Sequence, residues 1–386
     1  MHVQNGNGGG FKTGATCLDF WPDMSEYTKT YNTPLKLKDG STAQMFSSAD
    51  PETIDLHFKW MKQYGIDGAI IQRFKSAVEL NHPSTKAIIG YCLEAAKKYD
   101  RAVMVEYDLS GLSGAESVQK IIDDWNSIVA EFHIDDPEQQ PNYLWTHGKP
   151  IVGFFGIDMN NKGGDPAQYF EMFDKMVGRD GKPGGCSFLA GCAYYWRTEG
   201  SDAKVLSEWT PVLARCAGIS PWAVGRYGSK TAFTAKYDQI KGDLQWCNER
   251  DIIYAPVAFP GFSWANMHVV WNGADKATFD ESNPYDASPR LRGEFYWTQL
   301  ACYIQWKCPA VFLAMFDEMD EGTAIFKCAH EADAPVMTSE ATPWGRFCYI
   351  DDDLPSGYYL HLAGSAGKWL KGEPGYTQKR PEYVEN

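Results

Sequence analysis

The sequence predicts an α/β chain folded as a single (β/α)8 TIM barrel over residues 14–386, behind a flexible N-terminal segment at 1–13. Three observations predict it. Eight short runs rich in Val, Ile, Phe, Tyr and Ala recur along the 386 residues, apolar on nearly every position, as strands covered on both faces should be. Stretches with helical spacing of apolar residues separate them. No break in composition looks like a linker, so the alternation reads as one domain.

The strand runs are 14–23 (GATCLDFWPD), 65–74 (GIDGAIIQRF), 102–111 (AVMVEYDLSG), 149–157 (KPIVGFFGI), 187–196 (SFLAGCAYYW), 220–228 (SPWAVGRYG), 252–262 (IIYAPVAFPGF) and 310–319 (AVFLAMFDEM). The first helix, 50–65, opens on a cap-like Asp50 with Pro51 at its first position and repeats apolar residues at Ile54, Phe58 and Met61. Helical stretches follow at 83–100, 114–132, 165–178, 202–217, 230–250 and 290–307, and a last amphipathic segment at 356–370 closes the set. A doubly wound sheet would alternate in the same way, but no Gly-rich phosphate fingerprint follows the first run.

Composition narrows the function. A 44% hydrophobic chain with 14% aromatics can bury a large core, and a formal charge of −14 argues against nucleic acid as a partner. No apolar run approaches the roughly 20 residues that span a bilayer. The ten cysteines form neither a CxxC pair nor zinc-finger spacing, so they read as buried thiols, and no metal or other cofactor is called for.

In a barrel, the carboxyl ends of the strands carry the active site. Here those ends hold Trp21 and Asp23; Arg73; Glu106 and Tyr107; Tyr195 and Trp196; Arg226 and Tyr227; then Trp264, Asn266 and His268. Arg290 joins them from the stretch before the last run. Aromatic faces among acids and amides suit a sugar, whose C–H faces stack on rings while its hydroxyls need polar partners. The partner expected is therefore an oligosaccharide or polysaccharide substrate.

The last run delivers four carboxylates within five positions, Asp317, Glu318, Asp320 and Glu321. Crowded like charges raise one another's pKa, which a merely solvated loop has no use for. Two glutamates three residues apart on a turn at a strand end can supply the acid and the carboxylate that cleave a glycosidic bond.

That stretch, FDEMDEGTAI at 316–325, resembles the F-N-E-W-x-E-G-T-x-I signature of glycoside hydrolase family 99, the endo-acting α-mannosidases and α-mannanases. Phe316, Glu318, Glu321, Gly322, Thr323 and Ile325 carry the match. WPDMSEY (21–27), LHFKWMKQYGIDG (56–68) and RGEFYWTQ (292–299) are similar to bacterial family 71/99-like proteins, often labelled xylosidases or arabinosidases. The resemblance implies a (β/α)8 barrel and a retaining hydrolase of α-linked glycans. It implies Glu318 as base on the sugar's own 2-hydroxyl, through a 1,2-anhydro intermediate, and Glu321 as general acid and then base. Glu106 stands nearest to an acid that contacts substrate at the third strand of that family. The sequence departs from the signature at Asp317, where the family has Asn, and at Met319-Asp320, where it has Trp-His; the Trp that would line a sugar subsite is missing.

Two other classes fit the residues. A barrel that binds glycans without cleaving them would keep the aromatics, and a divalent-metal hydrolase could use the four carboxylates as hard oxygen ligands. For a glycan-degrading chain the expectation is export, periplasmic or extracellular, with its leader no longer part of this sequence, whose polar, Gly-rich start lacks an apolar stretch. A cytoplasmic location stays open.

Overall fold

The computed structural model describes residues 11–12, 15–79, 83–272, 279–336 and 347–383. Its centre is a parallel sheet. Strands Gly68–Phe74, Ala102–Asp108, Lys149–Ile157, Ser187–Cys192, Gly218–Pro221 and Ile253–Tyr254 pair in chain order, each beside the next. After Ala255 and Pro256 the last strand resumes as Val257–Ala258 and pairs in parallel with Phe312–Leu313. The eighth run joins the first through backbone bonds, the amides of Asp19 and Phe20 both donating to the carbonyl of Met319. Between the first run and Gly68–Phe74 no ladder is formed among the described residues, so the continuous sheet stops short of a closed ring.

Helices sit between the strands because the connecting stretches bury one face each. Pro51–Tyr64 buries Ile54, Phe58 and Met61, and Gly114–Phe132 buries Val118, Ile121, Trp125 and Ile128. Pro166–Lys175, Leu206–Leu213, Glu294–Gln305 and Tyr358–Leu370 occupy the other expected stretches, and Pro83–Tyr99 follows the second strand. Two stretches differ from the sequence reading. The helix expected over 230–250 is two, Lys230–Thr234 and Tyr237–Asn248. Asp50 does not cap the first helix; its carboxylate accepts from Lys29 Nζ (2.6 Å) and the Tyr31 hydroxyl, which belongs to the hairpin Tyr31–Lys36/Thr42–Met45.

The fourth strand, Lys149–Ile157, fills its apolar run, and the others are shorter than theirs. In the sixth, the strand is Gly218–Pro221 and the rest of 220–228 is turn, so Arg226 and Tyr227 stand well beyond its end. The first run contributes only Ala15–Thr16, paired antiparallel with Phe11–Lys12, and single bridges at Phe20 and Pro22. Apart from Phe11–Lys12, the segment 1–13 expected to be flexible lies outside the described residues. All ten cysteines are thiols, nine of them buried. No described helix is long and apolar enough to cross a membrane.

Candidate active site

Side chains along a strand alternate between its two faces, and this alternation sorts the strand-end residues. Gly68–Phe74 pairs with Ala102–Asp108 so that Gln72 faces Glu106, Arg73 faces Tyr107 and Phe74 faces Asp108. Gln72, Phe74, Glu106 and Asp108 line a cavity of about 590 Å³ over the sheet. Arg73 and Tyr107 point the other way, toward helix Gly114–Phe132, where both bond Asp124: Arg73 Nε at 2.6 Å and the Tyr107 hydroxyl at 2.7 Å. Glu106 fits because the neighbouring strand offers Gly153, where an added Cβ would stand 2.8–2.9 Å from its side chain.

The same cavity is lined by Asp317, Glu318 and Glu321. These come from a loop fixed at its base, where the amides of Ile325 and Phe326 donate to the carbonyl of Phe316. Glu318 is buried, and its Oε1 accepts from the amide of Asp320 at 3.2 Å. The Glu321 carbonyl accepts from the amide of Ser263 (2.9 Å), tying the loop to Phe262–Ser263. Gly322 follows in the left-handed region, φ +61°, with its α-carbon packed against the Ser263 backbone. Arg290 closes the loop from behind: its Nη2 donates to the carbonyls of Gly322 (3.0 Å) and Ala324 (2.5 Å), while its guanidinium lies over the rings of Phe20 and Tyr359.

The four crowded carboxylates therefore part company. Asp317, Glu318 and Glu321 border the cavity, whereas Asp320 is buried in the protein, with Oδ2 accepting from Cys17 Sγ at 3.5 Å. Beside it stands Asp19, buried too, which accepts from the Ser263 hydroxyl and from the amides of Ala265 and Asn266 (both 2.9 Å). Asp19 thus caps helix Ala265–Asn272 from another part of the chain. Burial, with a smaller contribution from the charge of Asp320, pushes the Asp19 carboxyl up to about 7 despite those bonds.

Burial also pushes Glu106 up to about 8, and the negative charge of Asp108 adds to it, so Glu106 holds a proton at neutral pH. His57, also on the cavity wall, is driven down to about 4 by burial and stays neutral, its Nε2 2.7 Å from the Tyr27 hydroxyl. The cavity thus joins a neutral carboxyl, a neutral imidazole and the two glutamates of the strand-end loop. Among the described residues no three His, Cys, Asp or Glu side chains converge as a metal site.

Of the seventeen residues singled out in the sequence, Glu106, Arg226, Asp317, Glu318 and Glu321 border the cavity. Asp320 and the other eleven lie outside its lining. Besides Arg73, Tyr107 and Arg290, Trp21 is buried edge-on against Phe347, and Asp23 caps the turn Met24–Glu26 through the amide of Ser25. The Tyr195 hydroxyl accepts from Lys236, and Trp196 packs on Trp246. Tyr227 bonds Gln299 and Tyr303 in the core. Trp264 donates to Asp286 and stands edge-on to His268, and the Asn266 side chain donates to the carbonyl of Leu18.

The aromatic surface of the cavity comes instead from Phe58, Phe74, Phe155, Trp222, Phe312 and Phe316, with Trp222 edge-on to Phe155 at 5.0 Å. Strand periodicity signals part of this set: counting in twos from Glu106 reaches Asp108, and the register then brings in Gln72. A second concavity of about 550 Å³, bordered by Glu26, Lys59 and Lys98, lies on the outer surface and holds none of these groups.

No family model and no curated protein matches the chain. Solved structures do. The fold is similar to that of the family GH99 endo-α-mannosidase from Bacteroides thetaiotaomicron, at TM-score 0.61 and 16% identity over 93% of this chain and 90% of that one, in a complex with bis-tris propane. A second structure of that enzyme gives 0.60 and 17% over 94% and 86%. A glycoside hydrolase-like protein gives 0.52 and 12% over 92% and 95%. At these identities the likeness is one of fold.

Proposed function

We propose that this chain is a retaining glycoside hydrolase acting on an α-linked glycan, and that its sheet is the greater part of a (β/α)8 barrel closed by the first run. One observation carries the reading: Glu318 and Glu321, the glutamates of the strand-end signature, border one cavity over the parallel sheet while the intervening Asp320 turns away. The similarity in fold to an endo-α-mannosidase is consistent with it.

In this reading Glu321 protonates the departing glycosidic oxygen and then activates water, and Glu318 acts as base on the 2-hydroxyl. Glu106, neutral at pH 7, donates a hydrogen bond to a sugar hydroxyl, and Trp222 and Phe155 offer an apolar face to the ring. Export, where polymeric glycans are met, belongs to the same proposal.

The test is kinetic. Glu321→Gln should lose most activity on a natural glycan and recover it on a substrate whose activated leaving group needs no protonation. Equal loss on both would move the acid elsewhere. Proton NMR of the first-formed product should show the α-anomer, and a β-anomer would overturn retention. Turnover unchanged in both Glu318→Gln and Glu321→Gln would favour a non-catalytic glycan-binding barrel.

A further inference from the structure

Besides the acidic loop, the lining of the cavity carries two cations, Lys162 and Arg226. Resting on the glycan-hydrolase reading, we propose that this wall selects a glycan bearing an anionic substituent, a carboxylate or sulfate on the sugar, seated at Lys162 and Arg226.

The two cations are set by one scaffold. Lys162 lies on the loop after strand Lys149–Ile157, and that loop is joined to residues 202–204. Met159 and Ala203 form an antiparallel bridge, the amide of Asn160 donates to the carbonyl of Asp202 (2.9 Å), and the amide of Lys204 donates to that of Asp158 (2.7 Å). Asp202 is also the residue that holds Arg226, accepting its Nε at 2.8 Å. The same carboxylate takes the amides of Tyr194 and Tyr195 at 3.0 and 3.1 Å. Its charge is therefore shared among three donors, and it fixes Arg226 through one edge of the guanidinium.

Lys162 is placed rather than loosely solvated. Its stem crosses Gly156 so closely that an added Cβ there would stand 3.3 Å from it. Its ammonium lies 5.3 Å from the centre of the Phe155 ring and donates to the Ser110 hydroxyl at 2.6 Å. It forms no direct ion pair among the described residues; the Ser110 hydroxyl that it bonds donates in turn to Asp108. In a chain of net charge −14, an ordered lysine with no direct ion pair beside a cavity is poised to neutralise a ligand.

Charge is thereby divided across the site. Glu318 and Glu321 stand on the eighth-run loop, and the cations stand after the fourth and sixth runs, across the sheet. Glu106 is neutral at pH 7 and does not repel an anion, while the carboxylate of Asp108, also on the lining, is engaged by the amide and hydroxyl of Ser110. A sugar on the Trp222–Phe155 face can present its anionic group to the cations and its glycosidic bond to the glutamates.

Isothermal titration of the full chain at low salt tests this with ligands that offer no bond to cleave: glucuronate, mannuronate, glucose 6-sulfate and mannose 6-sulfate, each against its neutral parent. At least one acidic ligand should bind about ten-fold or more tightly than its parent, as a charged hydrogen bond supplies, and the preference should shrink with salt. The uronate and sulfate arms identify the substituent. Lys162→Met should abolish the preference and Lys162→Arg retain it. No acidic ligand binding better than its parent, failure of both to bind included, overturns the proposal, as does a preference that survives in Lys162→Met. Failure of the hydrolase reading would look different: the preference intact, with turnover unchanged in Glu321→Gln.

Discussion

Replacing Gly322 by Ala tests how the strand-end loop holds its glutamates. Two costs are expected. A left-handed backbone at φ +61° disfavours an L-residue by about 1–2 kcal/mol. The new Cβ would stand 2.9 Å from the Ser263 amide nitrogen and 3.0 Å from its carbonyl oxygen. Both are backbone atoms that cannot rotate aside, and overpacking of this kind costs about 1–3 kcal/mol. The sum is about 2–5 kcal/mol. For a chain of 386 residues the unfolding entropy is about 0.8 kcal/mol per kelvin, so the midpoint should fall by roughly 2.5–6 °C. Gly40→Ala is the control, because Gly40 has φ +84° and an added Cβ there would meet nothing within 4 Å, so it carries the backbone cost alone. Thermal and urea unfolding of both variants measure the difference. Since Ser263 also binds the Glu321 carbonyl, the displaced loop should lower turnover about 100-fold in Gly322→Ala, as a shift of an ångström can. If the two variants unfold within about 0.5 kcal/mol of each other, the contact with Ser263 is not what requires glycine at 322.

Three further outcomes are expected. Glu106 keeps its proton in the folded chain up to about pH 8 and releases it near 4.5 when unfolded, so between those values the folded state binds the extra proton and stability falls as pH rises. Glu106→Gln should flatten that fall in urea midpoints measured from pH 5 to 8; an unchanged slope would remove the buried neutral carboxyl. Arg290→Lys shortens the reach to the carbonyls of Gly322 and Ala324 and removes the planar guanidinium from the rings of Phe20 and Tyr359, and should cost about 1–3 kcal/mol in thermal unfolding along with turnover; full stability would mean that the loop holds itself. Activity on a glycan should survive exhaustive chelation, and its loss with recovery on adding a divalent cation would favour the metal-hydrolase reading of the acidic loop.

The sequence by itself determined the order of elements. Pro51 and the spacing of Ile54, Phe58 and Met61 mark a helix because one face must be buried, and runs such as 102–111 read as strands because both faces are covered. It also determined the acidic loop, since four carboxylates in five positions at a strand end are conspicuous without coordinates. Tertiary structure decided which way each side chain faces. Neighbours in sequence at the end of a strand go to opposite faces, so Glu106 enters the cavity while Tyr107 binds Asp124 behind the sheet. Within the loop, Asp320 turns inward to Cys17 while Glu318 and Glu321 border the cavity, because contacts to Asp19, Ser263 and Arg290, from distant parts of the chain, set its backbone. Of the two cations on the cavity lining, Arg226 was named from the sequence, whereas Lys162 was hidden, since its ammonium is placed there by Gly156, Ser110 and the 202–204 segment. Composition and periodicity report local preference; which surfaces converge on one cavity depends on register and long-range contacts that no single stretch of sequence contains.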